Sequence, residues 1–211
     1  GENGVIANAK KGSYVIDMTT SSPKLAVQIH EKAKEAGLHG LDAPVTGGDS
    51  GAKAGTLTIL VGGNQEDFEA CRPIFEAMGK NINYEGKAGN GQHTKMCNQI
   101  AIAGAISGAC EAVAYAKAVG LDTKTMLDSI STGAAGSAQM SNVVPRALKG
   151  DFNPGFFVKH FIKDMKLADG EAKDADLHLG MLEYVLGMYE EMEKDGMGDL
   201  GTQALLKYYE K

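Results

Sequence analysis

The chain has 211 residues, 43% of them hydrophobic, with 21 Lys and Arg against 27 Asp and Glu. This is enough apolar material for a folded core in one large or two small domains, and the scattered basic residues exclude a nucleic-acid surface built on basic runs. No apolar stretch of the sequence reaches the roughly 20 residues that span a bilayer, and GENGVIANAKKG has no signal-peptide centre, so the chain reads as soluble, cytoplasmic and without a membrane partner.

Residue 1 is Gly, and the first strand follows a polar lead-in with no helix or strand of its own, so the chain reads as a piece of something longer. Tyr14 to Met18 is an apolar β-type run. Ser22-Pro23 then opens a helix with Leu25, Ala26, Ile29, Ala33 and Ala36 on one face, closed by Gly37. LHGLDAPV is a second strand, and TLTILVGG a third, with Leu57, Ile59 and Val61 alternating onto one face. Asn64 N-caps a helix over Gln65 to Met78, and NINYEG forms a short strand. The order strand, helix, strand, strand, helix, strand predicts an α/β layer with some antiparallel edge.

After Gly91 no strand is predicted. Gln92 to Val119 reads as one long helix whose Ala and Gly residues let neighbouring helices approach closely. Asp122 and Ser137 N-cap two shorter helices, Pro154-Gly155 breaks the chain, and helices near Val158 to Asp174, Leu179 to Lys194 and Thr202 to Glu210 follow. The domains are therefore 1–91, an α/β part, and 92–211, an all-α part. Cys71, Cys97 and Cys110 share no metal-ligand spacing and read as small core residues, and no metal site is predicted.

Two glycine runs invite a phosphate-binding reading and do not sustain it. Gly89-Asn90-Gly91-Gln92-His93-Thr94 is one residue short of G-x-G-x-x-G, and no second strand with an acidic end follows its helix. Gly196-Met197-Gly198-Asp199-Leu200-Gly201 matches in full but follows a polar helix end, so it reads as a loop between helices.

Lys95 is more informative. In the first turn or so of a helix the dipole opposes a cation by about 0.3–1 kcal/mol, and partial burial adds to that, so its amine is tuned toward the neutral form, as acid/base lysines are. Asn98 and Gln99 share its helical face, where an amide can orient a substrate hydroxyl. The alternative is a solvated lysine at a hinge between domains. Thr46-Gly47-Gly48 after a strand supplies a hydroxyl and turn N–H groups suited to a carboxylate, or is an ordinary turn. Thr19, Thr20 and Ser21 close a strand where α/β sheets bind ligands, or simply start a helix. In HFIKDMKLA, Phe161, Met165 and Ala168 form a core stripe while Lys163, Asp164 and Lys166 face elsewhere as a solvated charged face.

Together DMTTSSP, DAPVTGGDSGAKAGTLTILVGG, GKAGNGQHTKMCNQ and FFVKHFIKDMKLA resemble the β-hydroxyacid dehydrogenases, the group of 3-hydroxyisobutyrate dehydrogenase and tartronate semialdehyde reductase. The resemblance implies a partial Rossmann-like NAD(P)-binding domain joined by a long helix to an all-α domain like that of 6-phosphogluconate dehydrogenase. It implies that Lys95 exchanges a proton with the substrate oxygen while hydride moves to or from the nicotinamide of NAD or NADP. Asn98 and Gln99 match the substrate-positioning amides, the second commonly Asn. Thr46, where Ser is usual, would hold the carboxylate with Gly47 and Gly48. Thr20 would lie by the nicotinamide, Lys163 would reach cofactor or substrate, Asp164 would support the lysine network and Phe156 would wall the pocket. The substrate implied is a small 3-hydroxy acid such as 3-hydroxyisobutyrate or tartronate semialdehyde, with 6-phosphogluconate ranked lower.

Such enzymes begin with a strand and a glycine-rich turn that this stretch lacks. A chain limited to these residues is expected to bind NAD(P) weakly or not at all, and its exposed sheet edge would favour a homo-oligomer. Two other classes fit less of the pattern: a lyase using Lys95 as a Schiff-base amine, and a non-catalytic dimerisation module.

Overall fold

The computed structural model describes residues 1–210. The chain separates into two compact units, Gly1–Cys97 and Asn98–Lys211.

In the first unit, α1 (Val5–Asn8) is a short helix in the lead-in that was expected to have none. Then come β1 (Tyr14–Asp17), α2 (Pro23–Glu35), β2 (His39–Asp42), β3 (Val45–Thr46), α3 (Gly48–Ala54), β4 (Leu57–Gly62), α4 (Gln65–Glu76), β5 (Gly79–Gly86) and the start of α5 (Asn90–Ala118). Ser22 caps α2 by accepting from the Leu25 N–H at 3.1 Å, the preferred arrangement for a serine before Pro at N1. Asn64 takes the N-cap place of α4 without a capping bond, because its amide donates to the Asp67 side chain at 3.2 Å.

β1 and β2 run parallel, with Tyr14 opposite His39 and Asp17 opposite Asp42. β4 is antiparallel to both β2 and β3, pairing Asp42 with Gly62 and Val45 with Ile59, and β5 is parallel to β4. The β2–β4 antiparallel pairing lies inside the sheet, and β3, antiparallel to β4, stands at the end of the strand order, the antiparallel edge expected. Leu41, Ala43, Leu57, Ile59, Val61, Phe68, Cys71 and Phe75 form the core between the sheet and α4. Leu60 is buried too, so β4 is covered on both faces. Leu25, expected on the buried face of α2, is exposed; Pro23, Ala26 and Ala33 make that face.

The second unit holds the remainder of α5, then α6 (Thr123–Ile130), a π-helical turn at Gln139–Val143, α7 (Val144–Leu148), α8 (Val158–Asp174), α9 (Gly180–Met192), a second π-helical turn at Glu193–Met197 and a 3-10 helix at Thr202–Glu210. Asp122 caps α6 through the Thr125 N–H at 2.7 Å. In α8 the stripe Phe161, Met165, Ala168 is buried as its spacing requires. Phe161 meets Tyr189 edge to face at 5.2 Å, and the buried Tyr189 hydroxyl donates to the Thr202 carbonyl at 2.8 Å. The full G-x-G-x-x-G match lies in the second π turn and the loop after it, with Gly201 bridged to Phe157.

With a mean hydropathy of 1.3 over its apolar window, α5 is long and apolar enough to cross a bilayer, although its apolar residues are interrupted by small and polar ones. Its buried face in the second unit is Ala103, Ile106, Ala109, Cys110, Val113 and Ala116. In that unit its alanines, not its glycines Gly104 and Gly108, are the closely packed residues. A Cβ on Gly104 or Gly108 would meet nothing within 4 Å, whereas one on Gly91 would lie 2.4 Å from the Leu60 carbonyl oxygen.

Gly91→Ala is therefore expected to destabilise the protein by about 3 kcal/mol or more, while Gly104→Ala stabilises it by about 0.5–1 kcal/mol through reduced chain entropy. Urea denaturation of the two variants checks this; equal effects would contradict the packing described.

Candidate active site

α5 starts under the sheet because Asp42 holds it there. This carboxylate, 3% exposed at the end of β2, accepts the Gly89 N–H at 2.8 Å through one oxygen and the Gln92 N–H at 3.0 Å through the other. The first N–H groups of a helix lack intrahelical acceptors and form the positive end of its dipole, so a buried carboxylate satisfies both at once. The approach is close enough that a Cβ on Gly62 or Gly91 would sit 2.5 or 2.8 Å from an Asp42 oxygen. It also explains why the helix begins at Asn90 and not at Gln92, and why its first turns belong with the sheet.

The loop after β1 is fixed from two sides. Asp17 accepts the Thr19 N–H at 2.9 Å and the Thr19 hydroxyl at 2.7 Å, and the Ser21 hydroxyl approaches its other oxygen at 3.4 Å. From α5, the Gln92 side chain donates to the Thr19 carbonyl at 2.7 Å and accepts the Ser21 N–H at 3.1 Å. Half-buried Thr20 lies between these two anchored residues.

Thr46-Gly47-Gly48 is not a plain turn between strands: it leads into α3, an element the sequence reading passed over. Gly47 has φ 126°, a conformation open to glycine but strained for other residues, and Gly48 has φ 63°. Thr46 is half-buried, Gly47 and Gly48 are exposed, and Gly47 O accepts from Gly51 N.

Lys95 is buried, at 7% exposure, which removes the reading of a solvated hinge lysine. Because α5 starts at Asn90, Lys95 is in its second turn, where the dipole has largely fallen away.

In the second unit a chain of side chains links α5 to α8. Asn98 donates to the Gln99 carbonyl oxygen at 2.7 Å, Gln99 donates to Asp164 at 2.7 Å, and the Lys163 ammonium is 2.8 Å from the other Asp164 oxygen, as an ion pair and not a hydrogen bond. Asp164 is 2% exposed, so it does not belong to the solvated face predicted for it; Lys163 is half exposed and Lys166 pairs at the surface with Glu190. Gln99, 1% exposed, bridges Asn98 and Asp164. Phe156 is half-buried and packs on Phe161, with ring centres 5.6 Å apart. Cys71 and Cys110 are core residues as expected, and burial pushes the Cys110 thiol up to about 12, but Cys97 is exposed.

Sequence reasoning missed Asp42, Gln92 and Asp17. The available signal was a charged residue closing an apolar strand and a long amide just after Gly-x-Gly; a buried polar residue in such a place must find partners.

Two family models cover most of the chain. Residues 1–86 match the NAD-binding domain of 6-phosphogluconate dehydrogenase, and residues 89–209 match the domain described as NAD-binding of NADP-dependent 3-hydroxyisobutyrate dehydrogenase. An uncharacterized oxidoreductase of Bacillus subtilis is 55% identical over the whole chain, which covers 73% of that relative. The 2-hydroxy-3-oxopropionate reductase of Escherichia coli is 36% identical over the whole chain and 72% of its own length. The solved structure of Mycobacterium tuberculosis 3-hydroxyisobutyrate dehydrogenase with L-serine superposes with a TM-score of 0.87 and 29% identity, over 96% of this chain and 72% of that one.

Gln99→Met keeps side-chain volume but strips a hydrogen bond from the buried Asp164 carboxylate. The expected cost is about 2–3 kcal/mol of unfolding free energy. A change below about 0.5 kcal/mol in chemical denaturation would show that the bridge contributes little.

Proposed function

The chain belongs to the β-hydroxyacid dehydrogenase family, and on that premise we propose that Lys95 is the general acid/base in the NAD(P)-dependent oxidation of a small 3-hydroxy acid, or the reverse reduction. The substrate class is that of 3-hydroxyisobutyrate and tartronate semialdehyde. The observation that carries the reading is the burial of Lys95 on a helix whose start is anchored to the sheet by Asp42 and Gln92.

The first unit fits the nicotinamide end of the cofactor. Ligands of α/β sheets bind beyond the carboxyl ends of strands, and the Thr19–Ser21 loop follows a parallel strand there, held by Asp17 and Gln92. Thr20 is the residue proposed to line the ring. When bound, NAD(P) supplies the hydride acceptor or donor. The chain's own residues do the rest. Lys95 takes the proton from the substrate hydroxyl as hydride leaves carbon, and returns it to the carbonyl oxygen in the reduction. Thr46 and the N–H groups that follow Gly47 are proposed to hold the substrate carboxylate.

In the second unit, Gln99 and Asp164 fix the rotamer of Asn98, whose amide is proposed to orient the substrate hydroxyl one helical turn beyond Lys95. Lys163 is proposed to contact the cofactor and Phe156 to exclude water. Residues 1–91 and 92–211 are proposed as the cofactor-binding and helical parts of one enzyme, with a homo-oligomer as its proposed assembly.

Buried lysines also form Schiff bases, so a lyase is the second reading. In the full encoded polypeptide, Lys95→Ala should lower kcat for 3-hydroxyisobutyrate or tartronate semialdehyde by about 10²–10⁴-fold with NAD(P)H affinity kept. Borohydride added with substrate should leave no adduct on the parent protein. Undiminished turnover in Lys95→Ala would overturn the reading, and a substrate-dependent adduct at Lys95 would replace it with the lyase.

A further inference from the structure

Gln92 has no exposed surface, and three of its polar groups bond within the first unit: its backbone N–H to Asp42 at 3.0 Å, its amide N–H to the Thr19 carbonyl at 2.7 Å, its amide oxygen to the Ser21 N–H at 3.1 Å. The side chain thus grips the main chain immediately before and after Thr20, and nothing softer intervenes. The residue doing so stands three positions before Lys95 on one helix, less than a full turn away. We propose that Gln92 is a positioning residue that locks the Thr19–Ser21 loop to the helix of Lys95, so that the nicotinamide side of the reaction and the proton-transfer side are placed by a single amide.

Only an amide suits both bonds at once, since it offers one donor and one acceptor a fixed distance apart. A carboxylate would keep the Ser21 bond and set its second oxygen against the Thr19 carbonyl. A thioether would fill the space and keep neither bond. Hydride transfer is sensitive to such a loss because a misplacement near 1 Å costs about 10²-fold in rate.

The inference rests on the role proposed for Lys95, and the test separates the two. In the full encoded polypeptide, Gln92→Met should lower kcat about tenfold or more, leave KM for the 3-hydroxy acid within about twofold, and raise the primary deuterium isotope effect on kcat, as expected when binding is kept and reacting geometry is lost. A merely structural amide would lower the melting temperature and the yield of folded enzyme without moving that KM-against-kcat split or the isotope effect. Hydrogen exchange gives a readout free of turnover. In the parent protein the Ser21 amide, although in a loop, should be protected like the amides of β1, and in Gln92→Met it should exchange about tenfold faster. A freely exchanging Ser21 amide in the parent protein overturns the inference even where the variant does not fold. Unchanged exchange, kcat and isotope effect in a folded Gln92→Met also overturn it. Normal turnover in Lys95→Ala alongside a deprotected Ser21 in Gln92→Met would sink the acid/base reading while leaving the bridge intact.

Discussion

Asp42 meets the start of α5 with both of its oxygens, and much of the first unit is arranged so that it can. A carboxylate buried to this degree is costly unless each oxygen is satisfied, and two helix N–H groups at the positive end of a dipole are suitable partners. The geometry then propagates. Gly62 must lack a side chain because Asp42 lies against it across the β2–β4 pairing, and Gly91 must lack one because the helix start is pressed between Asp42 and Leu60. The antiparallel run of β4 beside β2 and β3 brings Gly62 to that place. With the helix start fixed, Gln92 and then Lys95 follow from helical geometry alone.

Two kinds of buried polar construction serve the two units. At the loop after β1 and the start of α5 in the first, Asp42 bonds to the Gly89 and Gln92 N–H groups, Gln92 to the Thr19 and Ser21 backbone, and Asp17 to the Thr19 N–H as well as the Thr19 and Ser21 hydroxyls. Such bonds fix where the chain runs. In the second, alongside Tyr189 and Gln203 bonded to backbone carbonyls, one cluster bonds side chain to side chain, from Asn98 through Gln99 to Asp164 and its ion pair with Lys163. Those bonds fix rotamers on helices whose backbone is already satisfied. A loop-borne site needs the former and a helix-borne site the latter.

Much of the layout was legible because it rests on period and punctuation. Ser22-Pro23, Asp122, and the stripe Phe161, Met165, Ala168 each state a local preference that the fold obeys. The misses share a cause. The helices α1 and α3 are short and rich in small or polar residues, so no apolar stripe announces them. Asp164 was assigned to solvent from its neighbours Lys163 and Lys166, but its burial is decided by Gln99, 65 residues away in sequence. Leu25 was placed on the buried face of α2 from spacing, although the alanines and Pro23 fill that face. Lys95 was expected in the first turn or so of its helix and partly buried; the helix begins earlier, at Asn90, and the side chain is buried outright. The family resemblance supplied roles for these residues, while the partners that hold them in place had to be seen.

The central claim is that the Lys95 amine itself moves the proton. The direct measurement is rescue of the Lys95→Ala enzyme by added primary amines small enough to enter the space the side chain leaves. General acid/base catalysis predicts that activity returns in proportion to amine concentration, and that among amines of equal size the rate constant depends regularly on amine basicity, as Brønsted behaviour requires. Activity that stays lost with every amine, or that returns equally whatever the basicity, would contradict it.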